Sequence, residues 1–190
     1  GGIRDRRDEM LRPIASLLLF QFGPTAAVLL WGDRSGGKSL VASGLAECIT
    51  TRRLADGSAL VDNFNDSLRL SPIIHIEEGT DKGNKGIDGA NALRRVVTAT
   101  HVGIEKKGHD KVLMQGVHRV LMTSNSKDVI QRMMGSSART GADWRAIGER
   151  LAEFRIDDGA TRWFEQNNRG WVETRRWIGT HGRTGLYPKF

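Results

Sequence analysis

The chain has 190 residues, 38% of them hydrophobic and 27% charged, which is ordinary for a soluble protein and enough for one α/β domain with its own core. No apolar run approaches the roughly 18 residues that cross a bilayer, and the charged residues 4–9 do not resemble a signal peptide, so a cytoplasmic location is expected. The formal charge of +7 favours a polyanionic partner, and the single cysteine, Cys48, is expected to be a small core residue.

The first predicted element is an amphipathic helix over residues 3–22. Its apolar positions include Met10, Ile14, Leu17 and Leu18, and Pro13 is expected to cause no more than an early kink. Glycine and proline at positions 23 and 24 then break the chain. We therefore predict that residues 1–25 form a helical unit leading into the core.

A phosphate-binding loop follows a buried strand. Residues 26–31 are an unbroken apolar run, typical of a buried parallel strand, and apolar side chains recur at helical spacing over residues 40–49. Between them, residues 32–39 read GDRSGGKS and fit G-x-x-x-x-G-K-[ST], the P-loop or Walker A motif. Because the motif lies between a strand and a helix, we predict a nucleoside-triphosphate site rather than a chance glycine-rich turn.

The residue types of this loop match the chemistry of triphosphate binding. Glycines let the backbone wrap closely around phosphates, so that N–H groups and the start of the helix point at the anion. Lys38 is expected to contact the β- and γ-phosphates, and the Ser39 hydroxyl to bind Mg²⁺. We therefore predict ATP and Mg²⁺ as ligands. The predicted nucleotide-binding residues are Gly32, Asp33, Arg34, Ser35, Gly36, Gly37, Lys38, Ser39 and Leu40.

A second strand ends in two acids about 40 residues after the P-loop. Residues 71–78 read SPIIHIEE, the form of a Walker B motif, and ligands bind where the carboxyl ends of parallel strands meet. Glu77 is expected to hold the Mg²⁺ shell, and Glu78 to orient and deprotonate the attacking water. The alternative is a strand that exits into solvent through two acids. His75 is expected to pack rather than to bind a ligand.

A basic hairpin is predicted ahead of the third strand. After a glycine-rich loop at residues 79–89 and a short helix at 92–97, two alternating segments within residues 102–113 flank a tight turn at 107–110. Lys106, Lys107, His109 and Lys111 lie at or beside this turn. The tip is either a nucleic-acid contact or a solvated hairpin, and this segment alone favours neither.

The third buried strand spans residues 117–125 and ends in Asn125, which is either a ligand of the γ-phosphate or attacking water, or a turn residue. Residues 126–143 are polar and rich in glycine and serine, so no element is assigned there. Residues 144–150 have a helical pattern, and residues 151–156 alternate like a strand. From residue 158 the chain is basic and contains several tryptophans, which are expected to pack rather than to stack on bases.

In this order, the P-loop, the acidic strand, the basic turn at residues 105–111 and the strand at 120–125 resemble the superfamily 3 helicases. These are the hexameric ATPase modules of small DNA viruses and of phage and plasmid primase-helicases. The resemblance covers about residues 26–156 and is closest at 102–125, where the family places a hairpin that grips single-stranded DNA before motif C. Two departures are Glu77, where the family more often has aspartate, and Gly108-His109, where some relatives carry a further lysine.

The resemblance implies an α/β fold of the P-loop NTPase class, AAA+-like, with a parallel sheet of about five strands flanked by helices. It assigns ATPase roles to Lys38, Ser39, Glu77, Glu78 and Asn125. It implies a homohexameric ring in which each subunit supplies an arginine finger to its neighbour. The candidates for that finger are first Arg150 and then Arg145, and the hairpin residues that would contact single-stranded DNA are Lys106, Lys107, His109 and Lys111.

The resulting prediction is an ATP-dependent DNA helicase module of a replication protein, located in the host cytoplasm if a phage or plasmid encodes it. Residues 1–25 would be the leading helix, 26–157 the ATPase core and 158–190 a basic C-terminal segment. One alternative is a P-loop small-molecule kinase, which would need a substrate pocket and an arginine-rich lid. Another is a nucleotide-dependent DNA-binding or loading module that does not unwind DNA.

Overall fold

The computed structural model describes residues 3–19, 23–34, 36–48, 54–62, 65–78, 89–134, 141–159, 162 and 166. The strands within these ranges are β1 (Ala27–Gly32), β2 (Ala55–Asp56), β3 (Ile73–Glu77), β4 (His101–Ile104), β5 (Val112–Gln115), β6 (Arg119–Ser124) and β7 (Leu151–Ile156). The α-helices are α1 (Ile3–Ser16), α2 (Lys38–Cys48), α3 (Ser67–Leu70), α4 (Gly89–Thr98), α5 (Val129–Met134) and α6 (Gly141–Gly148). A single 3₁₀ turn, Gly57–Leu60, follows β2 in the described part of the chain.

Five strands form one sheet in the order β2-β3-β6-β1-β7, and each neighbouring pair is parallel. Parallel neighbours must be joined by crossover connections, which place helices on the faces of the sheet. The predicted α/β class, with a parallel sheet of about five strands flanked by helices, is therefore confirmed. The other two strands, β4 and β5, form a separate antiparallel hairpin.

Helices cover both faces of the parallel sheet. Val28 of β1 packs in a buried cluster with Leu45 of α2 and with the end of α1. Leu29, the next residue of β1, belongs to a second buried cluster with Leu93 of α4 and Val129 of α5. Alternate residues of a strand point to opposite faces, so the unbroken apolar sequence of β1 follows from burial on both sides.

The first helix ends earlier than predicted, at Ser16 rather than residue 22. Pro13 lies one turn from this end, and the Ser16 hydroxyl donates to the Pro13 carbonyl at 2.6 Å. The next N–H groups, of Leu17 and Leu18, bond three residues back, as in a tightened final turn. A proline removes an N–H and crowds the preceding turn, which favours an end soon after it.

The structure differs from the sequence analysis in three further places: one prediction is wrong, and two elements were not predicted. Cys48 is exposed rather than buried, because it is the last residue of α2 and Leu45 is the last α2 residue in the buried cluster. Helix α5 lies within residues 126–143, where no element was assigned. The helix has six residues, and its buried apolar residues are Val129, Ile130 and Met133. Six residues are too few to show a helical period in the sequence. The two-residue strand β2 was missed for the same reason.

Candidate nucleotide-binding site and hairpin

The P-loop leaves the carboxyl end of β1 beside the end of β7. Gly32 has a φ of +140° and pairs with Ile156, and a Cβ on Gly32 would collide with the Ile156 carbonyl oxygen. A Cβ on Gly36 would lie 2.9 Å from Cγ2 of Ile156, and Gly37 has a φ of +89°. The glycines are therefore required by the close approach of β7 and by the turn into α2. Ser35 lies outside the described residues.

Lys38, the first residue of α2, is 8% exposed and folds back over the loop. Its Nζ donates to the main-chain carbonyl oxygens of Gly32 at 2.8 Å and Asp33 at 2.6 Å. Burial lowers the pKa of Lys38 from its ordinary 10.5, and the carboxylates of Glu78 and Asp33 oppose that shift. The ammonium group is thus held at the loop by neutral oxygens, and an entering phosphate would offer it a charged partner.

Glu78, the second acid after β3, occupies a strained and well-anchored position. Its φ of +56° is left-handed, which is unusual for a residue other than glycine, and strain of this kind is most often found at functional sites. The Glu78 N–H donates to the Thr123 carbonyl at 2.8 Å. The Ser124 hydroxyl donates to Oε2 at 3.2 Å, and the Asn125 N–H donates to Oε1 at 3.0 Å. Arg132 of α5 completes these contacts at 3.8 Å from Oε2.

The register of the sheet brings these groups to one cavity. Glu77 pairs with Thr123, and Ser124 pairs with Trp31, so the ends of β3, β6 and β1 lie side by side. A cavity of about 530 Å³ lies at this edge, within the usual range for small-molecule sites. It is lined by Arg34, Gly36, Gly37, Lys38, Ser39, Leu40, Ser43, Glu77, Glu78, Thr123 and Asn125.

Most of the predicted nucleotide-binding residues line this cavity, and Gly32 and Asp33 contribute through the carbonyl groups that hold Lys38. Two lining residues were not predicted. Thr123 lies opposite Glu77, and its hydroxyl is 2.9 Å from Nε2 of His75. Ser43 is one turn after Ser39 on α2, and its hydroxyl donates to the Ser39 carbonyl. Helical spacing from Ser39 points to Ser43, whereas Thr123 follows only from the register of β3 and β6.

The oxygen atoms at the cavity suit Mg²⁺ bound together with a triphosphate. Ser39 and Glu77 are exposed and line the cavity, so one hydroxyl and one carboxylate are accessible. Mg²⁺ usually takes one or two protein oxygens, and phosphates and waters complete its shell. Within the described ranges, no group of three or more His, Cys, Asp and Glu side chains is placed to hold a metal ion.

A second cleft, of about 690 Å³, adjoins the P-loop on the side of β7. It shares Gly36, Gly37 and Lys38 with the first cavity. Its remaining walls come from α1, from Leu30 of β1, from Val41 of α2 and from β7, and are mainly apolar. They include Met10, Ile14, Leu30, Val41, Phe154 and Ile156. This cleft could not be predicted from any one segment, because its walls come from α1, β1, α2 and β7, which meet only in the fold.

The hairpin is confirmed as a separate structural feature. β4 and β5 pair from His101–Gln115 to Ile104–Val112, and Gly108 at the turn has a φ of +79°. The turn residues Lys106, Lys107 and His109 are exposed. Lys111 differs from them, because its side chain crosses Gly103, where a Cβ would collide with Cε. The side chains of Lys106, Lys107 and His109 therefore lie together at the tip, and Lys111 lies back along the hairpin.

The two candidate finger arginines lie at the other edge of the sheet. Arg150 directly precedes β7, whereas the P-loop follows the opposite end of the neighbouring β1. Its guanidinium donates to the Ala146 carbonyl at 2.5 Å, at the end of α6. Arg145 is exposed on α6. Neither residue lines the cavity at the P-loop of its own chain.

Comparison with known proteins gives a family match and a fold match. The profile of a family of unknown function, DUF5906, matches residues 30–140. Two apo structures of the NrS-1 C-terminal region share the fold. The first has a TM-score of 0.62 at 15% sequence identity, and the match covers 91% of this chain and 38% of that structure. The second has a TM-score of 0.64 at 14% sequence identity, and the match covers 94% of this chain and 40% of that structure. This chain thus spans about two fifths of those structures.

A structure of JCV helicase with a bound thiazolopyridine compound has a TM-score of 0.45 at 14% identity, covering 90% of this chain and 48% of that chain. No curated protein matches the sequence. None of the described helices has the length and hydrophobicity to cross a membrane.

Proposed function

The chain belongs to the DUF5906 family, and we propose that it is an ATP-hydrolysing module that drives a DNA helicase. The observation that carries this proposal is that Lys38, Ser39, Glu77, Glu78 and Asn125 all line a single cavity at the carboxyl edge of a parallel sheet. These are the groups that phosphoryl transfer requires: a phosphate cradle, oxygens for Mg²⁺ and a residue that positions water. The rest of the proposal extends from this site.

ATP would bind across the two clefts that share the P-loop. Its phosphates would meet the loop N–H groups, the start of α2 and the ammonium group of Lys38. Its base would enter the mainly apolar cleft between α1 and β7, where Met10 and Phe154 offer contact area. This arrangement is supported by Gly36, Gly37 and Lys38, which line both cavities.

Hydrolysis would use Glu78 as the base. Its carboxylate is oriented by Ser124 and by the main chain of Asn125, so it faces the cavity with little freedom to turn away. A positioned base of this kind usually contributes about 10²–10⁴ in rate. Ser39 and Glu77 would hold Mg²⁺, which neutralises charge on the β- and γ-phosphates when it is bound. Asn125 bonds to Glu78 through its main-chain N–H. Its side-chain amide can therefore contact the γ-phosphate or water.

Single-stranded DNA would bind at the hairpin tip. Lys106, Lys107 and His109 are exposed at one turn, where cations can follow a phosphate backbone. A homohexameric ring would bring six such tips to one pore and would place Arg150, or else Arg145, against the nucleotide of the next subunit. In this scheme residues 26–157 form the motor, residues 1–25 lead into it, and residues 158–190 are a basic extension.

The deciding experiment measures ATP hydrolysis with and without single-stranded DNA, followed by strand displacement on a forked duplex. A DNA-driven motor hydrolyses ATP faster with DNA and separates the strands. A small-molecule kinase is indifferent to DNA, and a loading module hydrolyses slowly or not at all. Hydrolysis that DNA does not stimulate would contradict the proposal, and strand displacement without ATP would contradict it equally.

A further inference from the structure

We infer that Asn65 is a positioning residue that couples the hairpin to the nucleotide site. The inference rests on the proposed function, because it concerns how DNA at the tip would change ATP hydrolysis. Asn65 lies between the 3₁₀ turn after β2 and helix α3, in a segment with no recognisable motif. Its importance comes from three hydrogen bonds, one to Gly103 of β4 and two to Glu105, the residue directly after β4.

Through three hydrogen bonds, Asn65 pairs with main-chain groups of the hairpin as a neighbouring strand would. Its main-chain N–H donates to the Glu105 carbonyl at 3.1 Å. Its side-chain Nδ2 donates to the Gly103 carbonyl at 3.0 Å, and its Oδ1 accepts from the Glu105 N–H at 2.8 Å. An asparagine side chain carries both the donor and the acceptor that a peptide group would offer, so it can satisfy this edge. Glu105 is the residue directly before the tip cation Lys106.

Among the described residues, core packing holds the hairpin only at its base. An isolated two-stranded hairpin is marginally stable in water and needs packing against something else. Ile104 is buried in the core cluster, with Val102 and Met114 against its border, while Val112 and Leu113 are 63% and 70% exposed. The base of the hairpin is therefore packed, and the three bonds at Asn65 fix the direction in which the tip points.

Along the chain, Asn65 is followed by α3 and then by β3, the strand that ends at the proposed catalytic acids. Asn65 opens the turn into α3, and α3 is followed through Ser71 and Pro72 by β3, which ends in the two acids. The Ser71 hydroxyl donates to the Ile73 carbonyl at 2.8 Å, and the Arg119 N–H donates to the Pro72 carbonyl at 2.8 Å. This stretch is thus bonded both to the start of β3 and to the start of β6.

A second contact ties α3 to the segment that follows the hairpin. Nε2 of His118, just before β6, is 3.0 Å from the Leu68 carbonyl of α3. The hairpin is therefore linked to the start of α3 through Asn65, and the segment after the hairpin is linked to α3 through His118. A displacement of the tip would reach β3 and β6, whose far ends carry Glu78 and Asn125.

The test compares Asn65→Ala with the unsubstituted chain in three assays: basal ATP hydrolysis, its stimulation by single-stranded oligothymidine, and affinity for that DNA by fluorescence anisotropy. The substitution removes the two side-chain bonds and keeps the main-chain one. We expect basal hydrolysis within about twofold and DNA affinity within about threefold of the unsubstituted values. Stimulation should fall at least about fivefold, the lower end of typical coupling between two sites. A matched control is Gln131→Ala, an exposed amide on α5.

Asn65→Asp sharpens the comparison. The aspartate carboxylate can still accept the hydrogen bond from the Glu105 N–H. Its second oxygen replaces the Nδ2 donor and would repel the Gly103 carbonyl oxygen. We therefore expect stimulation to be lost in this variant too. Stimulation retained in both variants would overturn the inference. If the unsubstituted chain shows no stimulation at all, the proposed function fails instead, which the same assay reports separately.

A measurement on the unsubstituted chain covers the case in which these variants fold poorly. Coupling requires that a non-hydrolysable ATP analogue change the hydrogen exchange of the Glu105 amide, whose acceptor is Asn65. We expect a change of at least about fivefold in that exchange rate. An exchange rate that is the same with and without the analogue would overturn the inference.

Discussion

The carboxylate of Glu78 accepts a hydrogen bond from the main-chain N–H of Asn125, with 3.0 Å between Oε1 and the nitrogen. The acid after β3 and the polar end of β6 therefore act as one unit at the nucleotide cavity. This contact fixes the orientation of the proposed base before any substrate arrives, and preorganisation of this kind is the usual source of catalytic advantage. It leads directly to a substitution that separates binding from hydrolysis.

Glu78→Gln should retain ATP binding and lose hydrolysis. The amide keeps the size of the side chain but cannot accept a proton from water, so the rate should fall at least about 100-fold. Single-turnover hydrolysis and binding of a fluorescent ATP analogue measure the two properties separately. Hydrolysis at the unsubstituted rate would show that Glu78 is not the base.

Lys38→Ala should act on binding itself. The ammonium group lies at the loop and would form charge-assisted hydrogen bonds to phosphate, each worth about 1.5–3 kcal/mol. Affinity for ATP should therefore fall at least about tenfold. Calorimetric titration checks this, and Lys127→Ala, which removes an exposed cation outside the cavity, is the matched control. Equal losses in the two variants would point to general electrostatics rather than to a phosphate contact.

The sequence was sufficient for the parts of the site that local patterns encode. The P-loop, the acidic strand and strand β7 were predicted because each is a continuous run with a fixed period or motif. The contacts that hold Glu78 were not, since they join residues about 47 apart through the pairing of β3 with β6. Trp31 shows the same limit, because its indole donates to Glu153 at 2.7 Å across 122 residues. Such contacts depend on strand order, which no single segment contains.

The double variant Lys106→Ala with Lys107→Ala should weaken binding of single-stranded DNA and make it less sensitive to salt. Each lost phosphate contact should reduce the slope of log K against log salt by about 0.7. Anisotropy titrations at several salt concentrations measure both quantities, and Arg12→Ala, on the exposed side of α1, is the control. An unchanged slope would mean that the tip is a solvated turn.

Two histidines, His118 in the core and the partly buried His75, should make the protein lose stability in acid. Burial lowers the pKa of His118 from 6.5, with the hydrogen bond to Leu68 opposing it, and burial lowers the pKa of His75 in the same direction, opposed by Glu77 and Asp56. As the pH falls below 6.5, these two histidines become protonated in the unfolded chain before they do in the folded chain. The free energy of unfolding should therefore fall as the pH drops from 6.5 toward the folded-state pKa values, and level off below them.

Urea denaturation at a series of pH values measures this dependence. His118→Gln removes one of the two groups, so the loss of stability below pH 6.5 should become smaller without vanishing. A curve for His118→Gln that parallels the unsubstituted chain would contradict the assignment.

The last prediction concerns a residue that would act only across a subunit interface. Arg150 lies at the edge of the sheet opposite the P-loop, and its guanidinium donates to the Ala146 carbonyl at the end of α6. It therefore cannot serve the nucleotide of its own chain, but the rigid junction of α6 and β7 could direct it toward a neighbour. Arginine fingers supplied in this way are worth about 10³–10⁵ in rate in other P-loop enzymes.

We expect Arg150→Ala to bind ATP and DNA nearly as the unsubstituted chain does, and to hydrolyse ATP poorly. Mixing it with Glu78→Gln should restore part of the activity, because some interfaces then combine an intact Glu78 with an intact Arg150. Arg145→Ala, within α6, tests the second candidate in the same assay. Full hydrolysis by Arg150→Ala would exclude it as the finger, and a mixture no more active than its parts would exclude action across the interface.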